Sequence, residues 1–410
     1  MTKKRLAVLA ITWLVLLVAG SSVTATLAIC GVLGGGRGVA SSETYTVTAE
    51  EYEMLQRYRA LEDVYQIMMT EYVEEPDERT LLDGAAQGML ASVEDPYTFY
   101  YTVEEMKEMN EAEEGNYEGV GMQISLTEIG LIRITRVFKD TPSMEAGIRS
   151  GDYLTHINGQ PVQGVTSKDL SDAVQMIKDD EDGVVEMTMT RDGEPYTVSV
   201  KRRMCTVNRV EYTMLPDQIG YIMLYEFQGD AAEGFAEALE DLKSQGMEKL
   251  IVDLRSNPGG ALNLVLRIAD SLLPKGQILD IVDRYGNSSA YYSNEQCLGL
   301  PLAILVNGNS ASASEVLTGA VQDHGVGVIV GEKTFGKGIV QSIYQFGDGS
   351  GLQLTIARYY TPSGRYIHGE GIEPDIVVEQ DDSYDPGLSG PQPESDAQLK
   401  AAIDALMGQK

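Results

Sequence analysis

The sequence predicts a three-part α/β chain: an acidic helical arm, a small β-module and an α/β core. Three observations carry this. Apolar residues recur at three- and four-residue spacing from Ala49 to Glu113, short alternating runs and turns fill Gly119 to Arg203, and apolar strands alternate with amphipathic helices from Ile219 onward. Size agrees, because 410 residues at roughly 150 per domain make two or three domains. With 43% hydrophobic and 23% charged residues, the chain can bury a real core.

Charge excludes one class of partner. Lys and Arg total 31 against 62 Asp and Glu, a net charge of −31. Nucleic acid needs a basic face and is not an expected partner. Between Glu43 and Glu118 stand 21 acidic residues against Arg57, Arg59, Arg79 and Lys107, which is −17 of the total. Such a block reads as the solvated face of helices, or as a dock for a cationic partner. Three cysteines, Cys30, Cys205 and Cys297, form neither a disulfide framework nor a zinc pattern.

Five segments follow in order: 1–40, 41–114, 115–204, 205–380 and 381–410. In the first, Lys3-Lys4-Arg5 precede an uncharged stretch in which Leu6 to Leu33 exceeds the roughly 20 residues a bilayer crossing needs. A single-pass signal anchor is expected, with the remainder extracytoplasmic. The rival is a cleaved signal peptide, with Ala25 as the cleavage site and a secreted product. Ser41 to Thr48 reads as a linker. In the helical arm, Met54, Leu55, Tyr58, Leu61, Val64, Tyr65 and Met68 share one face, and Asp95-Pro96-Tyr97 breaks the run.

In the β-module, Met122–Leu126 and Leu131–Ile134 alternate like strands, Ile157-Asn158-Gly159 signals a hairpin, and Ser167–Ile177 fits a helix. In the core, Ile219–Phe227 and Lys249–Leu254 read as buried strands around a helix carrying Phe235, Leu239 and Leu242 and stopped at Gly246. A helix from Leu262 to Leu273, the strand Pro301–Val306, a helix from Ser312 to Asp323 and the strand Val326–Val330 continue the alternation. Asp381 to Asp396 has a disordered composition, followed by a short closing helix.

The chemistry concentrates in three places. His156, His324 and His368 are the only histidines, and none has a second His or Cys at ligand spacing, so no metal and no cofactor is expected. Ser310-Ala311-Ser312-Ala313-Ser314-Glu315 stands where a strand enters a helix. One serine there can simply be an N-cap, or it can be a nucleophile beside backbone N–H donors. A serine needs a base. His324 lies at the far end of the same helix, about 18 Å away, and His156 belongs to the β-module, whereas His368 stays open. Lys337, flanked by Gly336 and Gly338, serves if burial lowers its pKa and leaves it neutral. Gln341 follows four residues later and can orient the amine without adding charge. Finally, Asp253-Leu254-Arg255-Ser256-Asn257-Pro258-Gly259-Gly260 delivers a glycine turn to a helix start, which suits an oxyanion hole or a plain connection equally well.

Together these segments resemble the C-terminal processing (tail-specific) serine peptidases, over most of the chain after about residue 50. The match lies in Leu254–Gly260, Ser310–Glu315, Gly331–Gly338 with Gln341, Pro362-Ser363-Gly364-Arg365 and Gly371–Asp375. The resemblance implies a ClpP/crotonase-like β-α superhelix for the core, with an inserted PDZ domain. It implies Ser312 as nucleophile, Lys337 as base, Gln341 as its orienting residue, and an oxyanion hole from the N–H of Ala313 with Gly259 or Gly260. Gly119-Val120-Gly121-Met122 falls at the PDZ carboxylate-binding loop, implying protein substrates with exposed C-termini bound as an added strand. Resemblance and helical arm together imply a homodimer. One departure is Ile177-Lys178-Asp179-Asp180, where many relatives carry an Arg-Gly turn linked to gating. The alternative from another class is a catalytically inert PDZ scaffold that binds tails at the membrane.

Overall fold

The structure is a computed structural model that describes residues 25–27, 45–127, 129–164, 166–178, 183–295, 297–380 and 391–408. The chain divides into two units, residues 1–89 and 90–410. Most of the expected anchor lies outside the described residues. The part described, β1 (Ala25–Leu27), is a strand antiparallel to β2 (Tyr45–Val47), so the expected linker Ser41–Thr48 also contains a strand. No described helix is long and apolar enough to cross a membrane.

Helix α1 (Ala49–Glu71) starts at a capping box, in which the Thr48 hydroxyl accepts the Glu51 N–H and the Glu51 carboxylate accepts the Thr48 N–H. Its apolar face, with Met54, Leu55, Tyr58 and Leu61, is exposed. Helix α2 (Glu78–Ala91) follows, and the Tyr65 hydroxyl donates to Glu78 at 2.7 Å.

The second unit opens with the Asp95–Thr98 turn. A short strand, β3 (Phe99–Tyr101), was not foreseen after it; helix α3 (Val103–Glu114) was. Strand β4 (Asn116–Gly119) leads into the module. There β5 (Met122–Leu126), β6 (Ile132–Val137), α4 (Pro142–Glu145), β7 (Tyr153–Ile157), β8 (Gln160–Pro161), α5 (Ser167–Lys178), β9 (Val184–Arg191) and β10 (Glu194–Lys201) build a sheet of order β10-β9-β7-β6-β5, with β8 beside β7. Period-two burial follows the pleat: Val185, Met187 and Met189 face the module's core, as do Ile132 and Ile134. Strand β11 (Arg203–Thr206) pairs antiparallel with β4, so one two-stranded ribbon carries the chain in and out.

The core holds a six-stranded sheet. Its strands, from one edge to the other, are β12 (Val210–Leu215), β13 (Ile219–Leu224), β14 (Lys249–Asp253), β17 (Leu302–Val306), β18 (Val328–Gly331) and β21 (Ile376–Val377). All neighbours except β12 and β13 run parallel. Both faces are covered, which is why these strands read as unbroken apolar runs. Ile222, Leu224, Val252 and Ile304 pack with α6 (Ala231–Ser244), α7 (Leu262–Leu272) and α8 (Ala313–His324). Tyr221, Met223, Ile251 and Ala303 face the other way, onto α9 (Ala397–Gly408). A second, antiparallel sheet runs β16 (Ser288–Ser293), β15 (Gly276–Asp283), β20 (Gly351–Tyr360), β19 (Ile339–Gln345), and β3 joins it along β20.

The closing helix corrects the sequence reading of the tail. Residues 381–390 lie outside the described residues, but Asp396, expected in a disordered stretch, is buried. It accepts two hydrogen bonds from Arg255, at 3.0 and 2.8 Å. Asp253 binds the same guanidinium, and the Tyr221 hydroxyl donates to Asp253 at 2.6 Å. Burial alone would disfavour the Arg255 charge, but Asp253 and Asp396 outweigh it and hold its pKa far above the ordinary range. Composition called this acid a tail residue because the partner lies 141 positions away. Breaking a buried pair leaves the survivor uncompensated, so Asp396→Ala is expected to lower the unfolding free energy by about 3 kcal/mol, read from a urea titration of the full chain.

Candidate active site

Three alternating serines leave β17, and the fold separates them. Ser310 is buried, donates to the Leu254 carbonyl at 2.8 Å and accepts the Asn307 N–H at 2.9 Å. Ser314, also buried, donates to the Asn257 carbonyl at 2.9 Å. Both tie the serine segment to residues 254–257. Ser312 lies between them, half-buried and facing a cleft of about 680 Å³. Its backbone has φ 54 and ψ −111, a conformation that costs a non-glycine residue about 1–3 kcal/mol and is typically kept where function uses it.

Glu315 accounts for the strained geometry. Sequence alone made it a first-turn acid favoured by the helix dipole; the structure gives it a larger part. The side chain is fully buried, and four donors converge on it. Oε2 accepts the N–H of Ser312 at 2.9 Å and of Lys337 at 2.7 Å, while Oε1 accepts the Gly336 N–H at 2.7 Å and the Thr334 hydroxyl at 2.5 Å. One carboxylate thus joins the start of α8 to the segment that precedes β19. Tyr359 makes a second bridge, its hydroxyl 3.0 Å from the Ser312 carbonyl oxygen and 2.7 Å from that of Lys337. Burial pushes that hydroxyl well above its ordinary pKa, so it remains protonated.

Lys337 lies between β18 and β19 and is half-buried. Burial lowers its pKa from the ordinary value, with the Asp95 carboxylate acting in the opposite sense. The glycine before it is required: at Gly336 (φ +90) an added Cβ would stand 2.9 Å from the Gly371 nitrogen. Gln341 follows a register shift in β19, and its Nε2 is 3.5 Å from the Thr355 hydroxyl. Pro258, Gly260, Ser312, Ala313, Lys337 and Gln341 all line the one cleft.

The Pro258–Gly260 turn presses on Ser312. A Cβ on Gly259 (φ +102) would lie 2.8 Å from Ser312 Cβ and 2.9 Å from the Ala313 nitrogen. The Gly259 N–H donates to Asn257 Oδ1 at 2.9 Å. Gly260 pairs with Phe227 through an isolated bridge whose bonds use the N–H groups of Phe227 and Ala261 and leave that of Gly260 outside.

Two of the histidines stand elsewhere, and the third borders the Lys337 segment. His324 Nε2 is 2.7 Å from the Gln277 carbonyl, at the far end of α8, and His156 contacts Thr155 in β7. His368 packs its ring against Tyr97 and Tyr366 and is not among the described residues lining the cleft.

In the module, Gly119–Met122 joins β4 to β5. The Val120 carbonyl accepts the Ser143 N–H at 2.8 Å, and the Gly121 carbonyl accepts the Phe138 N–H at 3.0 Å and the Thr141 hydroxyl at 3.1 Å. The N–H groups of Gly121 and Met122 face the Tyr117 hydroxyl, whose pKa burial pushes up to about 12. A larger cleft of about 1580 Å³ runs past Met122, Ile124, Arg136 and Tyr225 to Pro258, which lines both clefts. Arg136 of β6 stacks on the Tyr225 ring of the core. Asp179 and Asp180, at the departure from the Arg-Gly turn, lie outside the described residues.

Comparison with known proteins places the chain in a family. Residues 218–378 match the model of peptidase family S41, 133–191 that of the PDZ domain, and 32–105 that of the activating protease CtpB N-terminal domain. The carboxy-terminal-processing protease of Bartonella bacilliformis is 34% identical over 365 residues, covering 86% of this chain and 82% of that protein. The carboxy-terminal processing protease CtpB of Bacillus subtilis is 34% identical over 384 residues, covering 89% and 79%. Among solved structures, a photosystem II D1 C-terminal processing protease superposes with a TM-score of 0.53 at 29% identity, over 81% of this chain and 94% of that one.

Because Glu315 holds both the Ser312 and Lys337 segments, its removal should uncouple them. Glu315→Ala leaves buried N–H donors without an acceptor, each costing about 1–3 kcal/mol. The expected result is loss of at least ~100-fold in the rate of fluorophosphonate labelling at Ser312, with the far-ultraviolet dichroism of the wild type retained.

Proposed function

From the premise that this chain belongs to peptidase family S41 and is a serine-type, carboxy-terminal processing peptidase, we propose that Ser312 is the nucleophile and Lys337 its base. The observation that carries this choice is the sorting of the serines, since Ser310 and Ser314 spend their hydroxyls on backbone carbonyls and Ser312 faces the cleft shared with Lys337. Neutral Lys337 takes the Ser312 proton as Oγ attacks the peptide carbonyl carbon. The oxyanion is held by the N–H of Ala313 and, of the two glycines, Gly260, because Gly259 already donates to Asn257. The lysine then gives its proton to the leaving amine as the C–N bond breaks. The same amine then deprotonates water, whose oxygen adds to the acyl carbon; the bond from that carbon to Ser312 Oγ breaks and the ammonium returns its proton to Oγ. Gln341 orients the amine from β19.

Substrate selection belongs to the PDZ domain. Gly119, Val120, Gly121 and Met122 take the terminal carboxylate of an exposed tail, which adds as a strand along β5. The larger cleft leads from β5 toward Pro258 and supports delivery of that tail to Ser312. No cofactor enters the scheme. Lys3-Lys4-Arg5 and the apolar stretch after them support a membrane anchor with the catalytic part outside the cytoplasm. The exposed apolar face of α1 supports a homodimer. Sedimentation of the detergent-solubilised chain at dimer mass, and a native N-terminus upstream of Leu6, are the expected findings; a mature terminus near Thr26 would undo the anchor.

Degradation of an unstructured protein with an apolar C-terminus tests the chemistry. Full-length wild type and His368→Ala should both be active, whereas Ser312→Ala and Lys337→Ala should each lose on the order of 10⁴-fold in kcat. Equal activity in all four would remove the Ser/Lys assignment, and silence in all four with every C-terminal peptide added would favour a scaffold. The base must be neutral to act, so kcat/KM should rise with pH through the Lys337 value. Burial places that limb below the ordinary lysine value of 10.5.

A further inference from the structure

One aromatic ring stands against the amine of Lys337. Its Nζ is 4.6 Å from the centroid of Tyr97, inside the range where a ring face attracts an ammonium. Tyr97 belongs to the turn that breaks the helical arm, and that turn is held on both sides. Asp95 accepts the Tyr97 N–H at 2.9 Å and the Thr98 hydroxyl at 2.7 Å. Thr98 Oγ1 accepts the Thr355 N–H at 3.1 Å, and β3 pairs with β20 directly afterwards. The turn is therefore mounted on the same sheet as Gln341.

The charged and titratable groups around Lys337 leave this turn as the source of attraction for its amine. Asp95 acts on the lysine through its charge. Glu315, from α8, is occupied by four donors, including the backbone N–H of Lys337. Tyr359, from β20, contacts the Lys337 carbonyl rather than its amine. His368 approaches Tyr97 edge-on, with centroids 6.3 Å apart, and its charge acts on Asp95 rather than on the amine.

We propose that Tyr97, on the turn shaped by Asp95, is a positioning residue whose ring seats the Lys337 ammonium and so sets the pH at which the amine is released to serve Ser312. The inference rests on the Ser312/Lys337 assignment. A neutral amine has no comparable attraction to the ring, so the seat favours the resting, protonated form. Burial pulls the other way, and the balance between them sets how much base is present at a given pH.

The test is the pH dependence of kcat/KM for the full chain, with Tyr97→Phe, Tyr97→Leu, Asp95→Asn and Lys337→Ala beside the wild type. Tyr97→Phe keeps the ring face and should keep the wild-type acid limb. Tyr97→Leu should move that limb about 0.5–1 pH unit lower, a gain of roughly 3–10-fold well down the limb. Asp95→Asn retains an acceptor for the turn, loses the charge, and should shift the limb in the same direction. If Tyr97→Leu lowers kcat at every pH without moving the limb, or Phe and Leu behave alike, the ring is only packing and the proposal is overturned. Should Tyr97→Leu fail to fold, Tyr97→Met, which also lacks a ring, decides, with an unmoved limb counting against the seat. The pH dependence of fluorophosphonate labelling at Ser312 must show the same shifts. Survival of turnover in Lys337→Ala would instead sink the base assignment, a result separable from any change of limb.

Discussion

A single buried carboxylate, that of Glu315, links the two halves of the candidate chemistry. Ser312 and Lys337 are 25 residues apart and sit on different elements, one at the start of α8 and one ahead of β19. A nucleophile and a base must be held to within fractions of an ångström, and neither segment has regular structure where it matters. Four charge-assisted bonds to Glu315 provide that constraint. A buried ionised group is tolerable only when its lone pairs are filled, and here they are filled by the backbone that has to be fixed.

The same economy governs the serines. An N-cap needs one hydroxyl, yet three are present, and the flanking pair does structural duty by tying residues 310–314 to residues 254–257. The middle one is left at a positive φ, with its side chain free of that duty. Strain at such a position persists only when the surroundings over-determine it. Glu315, Tyr359 and the close approach of Gly259 together do so.

Much of this was legible in the residues, and what was missed has a physical cause. The buried strands and amphipathic helices of the core announced themselves because burial on both faces, or on one stripe, leaves a period in the sequence; Phe235, Leu239 and Leu242 are all buried as their spacing implied. Strand β3 and the second sheet carried weaker signals, since β16 reads Ser-Ser-Ala-Tyr-Tyr-Ser and is mostly exposed. Glu315 was visible but misread: a first-turn acid already has a local explanation, and donors 19 to 22 residues away leave no periodic trace. Asp396 was lost to composition for the same reason, its partner being distant in sequence. Tyr97 was seen only as part of a helix breaker, because a contact between a ring and an amine across 240 residues follows no spacing rule.

Long-range ties also explain how the glycine turn could be held still enough for the oxyanion role proposed for it. A glycine pair is the least ordered kind of backbone in an unfolded chain, and donors aimed at a developing oxyanion help only if they need no reorganisation when charge appears. Here the turn is gripped on both sides. Arg255, just before it, is locked by Asp253 and Asp396, and the side-chain amide of Asn257 donates to the Leu224 carbonyl at 2.7 Å. Gly260, at its end, is bridged to Phe227. The closing helix α9, far along the chain and on the opposite face of the sheet, is thereby part of what keeps the site rigid. Flexibility in the glycines is spent on close approach to Ser312, and stiffness is supplied by charges buried several residues away.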